Sequence, residues 1–571
     1  MRWLTSLRRA QSGRTEDGTI VVEGTLKSNG RPTRNRIIMM MAVFFAMYGA
    51  IAARLTYFGL LEPDDGNGPA VHIQASRPDI IDRNGEVLAT DIKTASLYAE
   101  PRRIVDVDEA LEKLTAVLPD LDQEQTYHKL RSDAGFVWLR RQLTPRQEAE
   151  IMALGIPGIG FRTEKRRFYP GGALASHVLG LVDIDNKGIA GIEKYIDSLG
   201  LADLRATGLA TPDDLKPFQL SMDVRVQHVV HDELSRAMER YQAIAAGAVV
   251  MDARTGEVVA MVSLPDFDPN NPVNAHEPTR LNRMSGGVFE MGSTFKSFTI
   301  AMAMDIGSVG LNDTFDASRP LHVGKYTIRD FHGKGRVLTV PEVFIYSSNI
   351  GTARMAETVS IEDHRAFFKR IGLLDRMKTE LPEVAAPTEP AEWKRLNRIT
   401  ISFGHGVATT PLQTAMSAAA VINGGILHQP TFLPRSIEQA NATGERVLQE
   451  STSQAMRYLF RLNVEKGSGK RADVPGYFVG GKTGTAEKVV NGRYSSDKRF
   501  NAFLAAFPVN DPQYVVLVIL DEPKPEKGGF GATAGLNAAP TVGNIIRRAA
   551  PLLGVMPEFG HESAALLVSL H

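Results

Sequence analysis

The stretch GSTFKSFTIAMAM, residues 292–304, sets a serine and a lysine three positions apart at the head of an apolar run. Residues at that spacing share one face of a helix, so Lys296 is expected beside Ser293. A serine hydroxyl is a poor nucleophile until a base removes its proton. A lysine on a wholly apolar helix is driven toward its neutral form by desolvation and can be that base. The helix start also aims backbone N–H groups at an oxyanion forming on Ser293. Taken alone the pattern is common, because an N-cap serine ahead of an ordinary helical lysine reads the same way.

Two further motifs lie downstream. Tyr346-Ser347-Ser348-Asn349 closes an apolar run and offers the Ser347 hydroxyl and the Asn349 amide two positions apart. Lys482-Thr483-Gly484-Thr485 follows Val479-Gly480-Gly481, on or beside a strand. Strand alternation puts Thr483 and Thr485 on one face and Lys482 on the other. Gly484 allows another backbone to come close. A lysine with two hydroxyls suits a bound carboxylate. Gly476 to Thr483 also matches the phosphate-loop pattern G-x-x-x-x-G-K-[ST]. Such a loop must open a helix, however, and Thr483-Gly484-Thr485-Ala486 makes a poor first helical turn.

Outward from these motifs the sequence alternates in character. Val224–Tyr241 carries apolar residues at helical spacing. Ala246–Asp252 and Glu257–Val262 flank Ala253-Arg254-Thr255-Gly256 and read as a hairpin of two buried strands, with Asp252 and Glu257 solvated at its turn. A helical middle, 293–425, follows. Strand-like runs return at Tyr477–Val479, Ala502–Val509 and Tyr514–Leu520, and a helix at about 540–554 closes the unit. Strands at both ends of a helical middle imply one sheet with helices on its faces. Ahead of this unit, Ile80–Leu88 reads as strand, Asn-Gly turn and strand, and Ala110–Leu118 and Pro145–Leu154 as helices.

The 571 residues exceed one ordinary domain, and 43% hydrophobic with 23% charged residues are globular proportions. Lys+Arg 65 cancels Asp+Glu 65, so no basic surplus points to nucleic acid. The absence of cysteine excludes disulfides, thiolate metal sites and cysteine nucleophiles. Thirteen histidines show no metal-binding spacing, so neither metal nor cofactor is expected. His332 and His405 lie in glycine-rich loops and read as loop hydrogen-bonding groups. Phe530, between glycines, is a candidate for the mouth of a site.

Charge is uneven along the chain. Residues 1–36 hold eight basic and three acidic residues and read as a solvated tail. Ile37–Ala53 then runs 17 residues without a charge, and Leu55–Leu61 extends it. At about 1.5 Å per residue this run spans the low end of a bilayer core. The basic flank predicts a cytoplasmic N-terminus and a remainder outside the membrane. A cleaved signal peptide is the rival reading, disfavoured by the long leader. Glu62–Pro69 is a linker by composition.

The set Ser293/Lys296, Ser347/Asn349 and Lys482-Thr483-Gly484, in that order, resembles penicillin-binding proteins and serine β-lactamases. Arg77…Asp82-Arg83-Asn84-Gly85, Arg167-Phe168-Tyr169-Pro170-Gly171 and Gly188…Gly191-Ile192-Glu193 resemble the pedestal signatures of class B members. Ser347-Ser348-Asn349-Ile350-Gly351, Phe403-Gly404-His405-Gly406 and Asp521-Glu522-Pro523 are most similar to the division-specific branch. Met291 departs from the proline common before Gly292, Pro78-Asp79 from the glycine common after the first arginine, and Gly286-Gly287 is unusual in its segment.

The resemblance implies an α+β chain. Its parts are a tail (1–36), a transmembrane helix (37–58), a pedestal or dimerisation domain (70–220) and a transpeptidase domain (221–571) built on an antiparallel sheet. It implies a D,D-transpeptidase that cross-links peptidoglycan stem peptides, at the septum and outside a cell's inner membrane, and that β-lactams acylate. Implied catalytic residues are Ser293, Lys296, Ser347, Asn349 and Lys482, with Thr483, Gly484 and Thr485 holding substrate. The backbone N–H groups of Ser293 and Thr485 would hold the oxyanion. Lipid-linked precursor strands, a membrane glycosyltransferase and other division proteins are the implied partners. An elongation-branch enzyme and a catalytically idle division scaffold are the alternatives.

Overall fold

The computed structural model describes residues 30–60, 77–200, 216–490 and 493–559. A helix spans Gly30–Leu60, so seven residues read as tail are helical instead. Arginine is a good helix former, and extending a helix is easier than starting one. Its segment Ile37–Arg54 has mean hydropathy 1.9 and is wholly exposed, long and apolar enough to cross a membrane. The linker Glu62–Pro69 lies outside the described residues.

The catalytic-looking motifs sit on a five-stranded antiparallel sheet. Its strand order is Gly480–Val490, Arg493–Phe507, Tyr514–Asp521, Ala245–Asp252, Val258–Leu264. The hairpin near residue 250 thus pairs with a strand more than 260 residues later, as expected of a sheet assembled from both ends of the unit. Both faces are buried, which is why these strands are continuously apolar rather than alternating. Val515, Leu517 and Ile519 join one core with the helices Lys296–Asp305 and Pro411–Ile422. Val516, Val518 and Leu520 join the other with the helices Val224–Tyr241 and Ala538–Ala549.

Two local expectations are corrected. Tyr477–Val479 is not strand: the strand begins at Gly480, and Phe478 turns with φ of 42°. Asp252 and Glu257 are not solvated, being 6% and 7% exposed. Arg83 donates to Glu257 at 2.6 Å and Arg254 to Asp252 at 2.8 Å, so both carboxylates have cationic partners.

The N-terminal unit has its own sheet, in which Val87–Ala99 pairs antiparallel with Val137–Leu143 and Ile159–Phe168. Its outer part closes a small core around Leu97, Leu114, Leu118 and Leu139. The inner part does not stand apart: Ile80, Leu88, Tyr169, Val178 and Ile192 belong to the main core of the catalytic unit. Ile80–Ile81 also pairs with Phe218–Gln219, and Asp82 accepts from the Val224 N–H at the start of the next helix.

Three signature residues of this unit meet in one buried network. Glu193, fully buried, accepts from Arg77 Nε at 2.9 Å and Arg167 Nε at 2.6 Å. Arg77 also donates to Asp197 at 2.5 Å, and Arg167 to Asp91 at 3.2 Å and the Pro78 carbonyl at 2.9 Å. Each charge is paired, which is what makes their burial tolerable.

Candidate active site

Gly292–Phe295 forms a 3₁₀ turn that runs into the helix Lys296–Asp305. Ser293 sits in that first turn, where backbone N–H groups have no intrahelical partner. Lys296, one turn on, is fully buried. Its Nζ donates to the Ser347 carbonyl at 2.5 Å, Ser347 Oγ at 3.0 Å and Asn349 Oδ1 at 2.8 Å. Spacing places Lys296 beside Ser293, but its hydrogen bonds among the described residues go to the Ser347–Asn349 turn.

Ser347 itself adopts φ of 55°, a left-handed conformation that costs a non-glycine residue about 1–2 kcal/mol. Ser348 caps the helix Asn349–Ala356 through the Gly351 N–H. Asp330 clamps the turn, accepting from Ser348 Oγ at 2.7 Å and from the Ile350 N–H at 2.9 Å. Asn349 Nδ2 donates to the Arg329 carbonyl at 3.0 Å. Sequence reasoning missed Asp330, which belongs to no motif and lies in an irregular loop 18 residues before Ser348.

Lys482 arrives from the edge strand Gly480–Val490 and is also fully buried. Its Nζ donates to Ser347 Oγ at 2.9 Å. Alternation does send it to the face opposite Thr483 and Thr485. That face carries the catalytic helices, so Lys482 meets Ser347 instead of standing with the two threonines. Gly484 does permit a close approach: a Cβ there would lie 2.4 Å from the Met291 carbonyl, just ahead of the nucleophile. A Cβ on Gly404 would lie 1.9 Å from the Gly292 carbonyl, so the glycine-rich 404–406 loop packs on the same turn.

Burial sets the electrostatics. Desolvation, then the neighbouring Lys482 charge, pushes Lys296 well below the usual lysine range, while Asp330 opposes the shift. Desolvation lowers Lys482 to about 7. Burial and the Lys296 charge lower His405 to about 4, so its ring is neutral. Contrary to the expected loop hydrogen bonding, His405 Nδ1 is buried without a partner. Glu290 is raised by burial, and accepts from the Gly406 N–H at 2.7 Å and the Tyr494 hydroxyl at 3.1 Å.

These groups open onto a cleft of about 610 Å³ whose walls include Ser293, Ser347, Asn349, Thr483 and Thr485. Thr483 Oγ1 and Ser468 Oγ are 2.7 Å apart, and Thr485 Oγ1 accepts from the Ala534 N–H at 3.2 Å. Phe331, His332 and Tyr346 form one lip. Phe530 is 97% exposed, while Thr533, Gly535 and Leu536 of the same loop line the cleft. No group of side chains able to hold a metal ion occurs among the described residues.

Comparison with known proteins agrees with this geometry. Residues 246–547 match the penicillin binding protein transpeptidase domain, and residues 72–199 the penicillin-binding protein dimerisation domain. The chain is 39% identical over 534 residues to a probable peptidoglycan D,D-transpeptidase FtsI of Caulobacter vibrioides, covering 92% of this chain and 89% of that one. It is 34% identical to a probable peptidoglycan D,D-transpeptidase PenA of Neisseria gonorrhoeae, covering 94% and 95%. Peptidoglycan D,D-transpeptidase FtsI of Escherichia coli K12 is 28% identical, covering 90% and 91%. A serine turn, two buried lysines on one hydroxyl and these two matched domains lead to one conclusion: the chain belongs to the penicillin-binding protein transpeptidase family, as a class B member with a dimerisation domain ahead of the catalytic one.

Proposed function

We propose that the protein is a serine D,D-transpeptidase that cross-links peptidoglycan stem peptides through an acyl-enzyme on Ser293. The observation that carries this reading is the meeting of Lys296 and Lys482, both fully buried, on Ser347 Oγ. Desolvated lysines supply a base at neutral pH without any metal or cofactor. Ser293 attacks the carbonyl of the penultimate D-alanine of a donor peptide, and Lys296 takes its proton. The N–H groups of Ser293 and Thr485 hold the oxyanion. Ser347 passes the proton on to the departing amine, and Asn349 holds the amide on the acyl side. Thr483 and Thr485 receive the terminal carboxylate, beside Gly484, with the Lys482 charge behind them. D-Alanine leaves, and the amine of a second stem peptide attacks the ester.

β-Lactams acylate the same serine in this reading. The single apolar helix anchors the chain in an inner membrane, with the N-terminus cytoplasmic and the catalytic unit outside. The branch similarities favour work at the division septum beside a membrane glycosyltransferase and other division proteins. Septal placement of a fluorescent fusion in growing cells agrees with that; lateral-wall placement assigns the enzyme to elongation.

Labelling with a fluorescent penicillin tests the chemistry. Wild type retains the label covalently, and Ser293→Ala loses it while keeping its melting transition. Label that persists on the variant would refute Ser293 as nucleophile, and an unlabelled wild type would leave the idle scaffold in its place.

A further inference from the structure

The cleft has a basic end that the mechanism above does not use. Lys470 and Arg471, in the short 3₁₀ turn Lys470–Ala472, are exposed and line it. They follow Ser468, whose hydroxyl touches Thr483 Oγ1 at 2.7 Å, so they belong to the Thr483 end. Arg499 is the other basic residue of arginine or lysine type in the lining, and Glu487 is its acidic one. Glu487 and Arg499 face each other across the strand pair. Glu487 lies four residues beyond Thr483, about 13 Å along an extended strand. The cleft is therefore polarised, with net positive charge at the end where the terminal carboxylate is received.

Resting on the proposed function, we infer that Lys470 and Arg471 select the acceptor: an amine whose own carbon carries a carboxylate, on an anionic peptide. The leaving group of the first step is such a molecule, an amine beside a carboxylate. Attack by the acceptor is that step run backwards on the same ester. The new C–N bond forms as the C–O bond to Ser293 breaks, and a proton of the amine ends on Ser293 Oγ. Microscopic reversibility brings the acceptor in by the route the first amine left. Its substituents then lie on the Thr483 side, under Lys470 and Arg471. Two fixed cations there disfavour an amine with no anionic neighbour and favour one that brings a carboxylate.

The test uses the full chain in detergent, a thioester donor ending in D-alanyl thioglycolate, and two acceptors, D-alanine and D-alaninamide. The readout is the ratio of transfer to hydrolysis for each acceptor, with penicillin acylation, which needs no acceptor, as reference. Wild type should favour D-alanine, and added salt should shrink the preference because exposed charges are screened. The double variant Lys470→Glu/Arg471→Glu should lose about tenfold of that preference, the scale of two exposed charge contacts reversed. The neutral Lys470→Ala/Arg471→Ala pair should fall between. Equal use of both acceptors by wild type, or an unchanged preference in the variants, overturns the subsite while leaving the acyl-enzyme reading intact. A wild type that forms no acyl-enzyme with penicillin overturns both.

Discussion

Lys296 and Lys482 share one acceptor, Ser347 Oγ, at 3.0 and 2.9 Å. An ammonium has three donors, and those of Lys296 meet a carbonyl, an amide oxygen and this hydroxyl. When Lys296 is neutral its lone pair needs a proton donor, and of the three partners only Ser347 Oγ has one to offer. The two lysines thus titrate as a pair linked by a hydroxyl. Both are lowered, Lys482 to about 7. Acylation by penicillin should accordingly rise with pH through about 7 and level off above. The sign for stability is the same. Between about 7 and the usual lysine value near 10.4, the folded chain holds fewer protons than the unfolded one, so stability from this pair climbs with pH across that window. A stopped-flow pH profile that stays flat would remove the titrating lysine from the mechanism. Lys296→Arg should be nearly as damaging as Lys296→Ala, because arginine keeps the charge but cannot deprotonate. An acylation rate for Lys296→Arg near wild type would convert the lysine's role from base to fixed charge.

The edge strand Gly480–Val490 brings Lys482 and the threonines to the cleft on opposite faces, and it pairs on one side only. Its free side is where an extended peptide can lie. In the N-terminal unit, the helix Gly191–Ser198 is tied to the chain start and to the strand Ile159–Phe168 by Glu193 alone between two arginines. Glu193→Ala leaves Arg77 and Arg167 buried without that carboxylate. Breaking such a site costs about 3–5 kcal/mol, so the variant should melt many degrees lower. Glu193→Gln should fall between, since its amide oxygen still accepts. A melting temperature for Glu193→Ala within a degree of wild type would mean that Asp91 and Asp197 suffice.

At the scale of the whole molecule, the anchor is the simplest element to test. Phe45 is 73% exposed midway along the helix Gly30–Leu60. An arginine near the bilayer centre costs about 2.5–3.5 kcal/mol by insertion scales. Phe45→Arg should reduce the membrane-inserted fraction, measured by fractionation. A reporter fused after residue 61 should be active if it works only outside the inner membrane, and silent if it works only in the cytoplasm. The opposite pattern would invert the anchor.

What could be read from sequence was local or periodic. Ser293 and Lys296 are one helical turn apart, the strands near 250 and 515 are unbroken apolar runs, and Ile37–Ala53 has no charge. Each follows from chain geometry within a few residues, or from solvent preference. Tyr477–Val479 shows the limit, since aromatic and β-branched residues read as strand although the chain turns at Phe478. Convergence was beyond reach. Lys482 finds Ser347 across 135 residues, Arg83 buries Glu257 across 174, and Asp330 holds the Ser348 turn without a motif. Spacing and hydropathy act along the chain. Desolvation and ion pairing depend on which distant groups the packed core brings within 3 Å, and only the folded structure decides that.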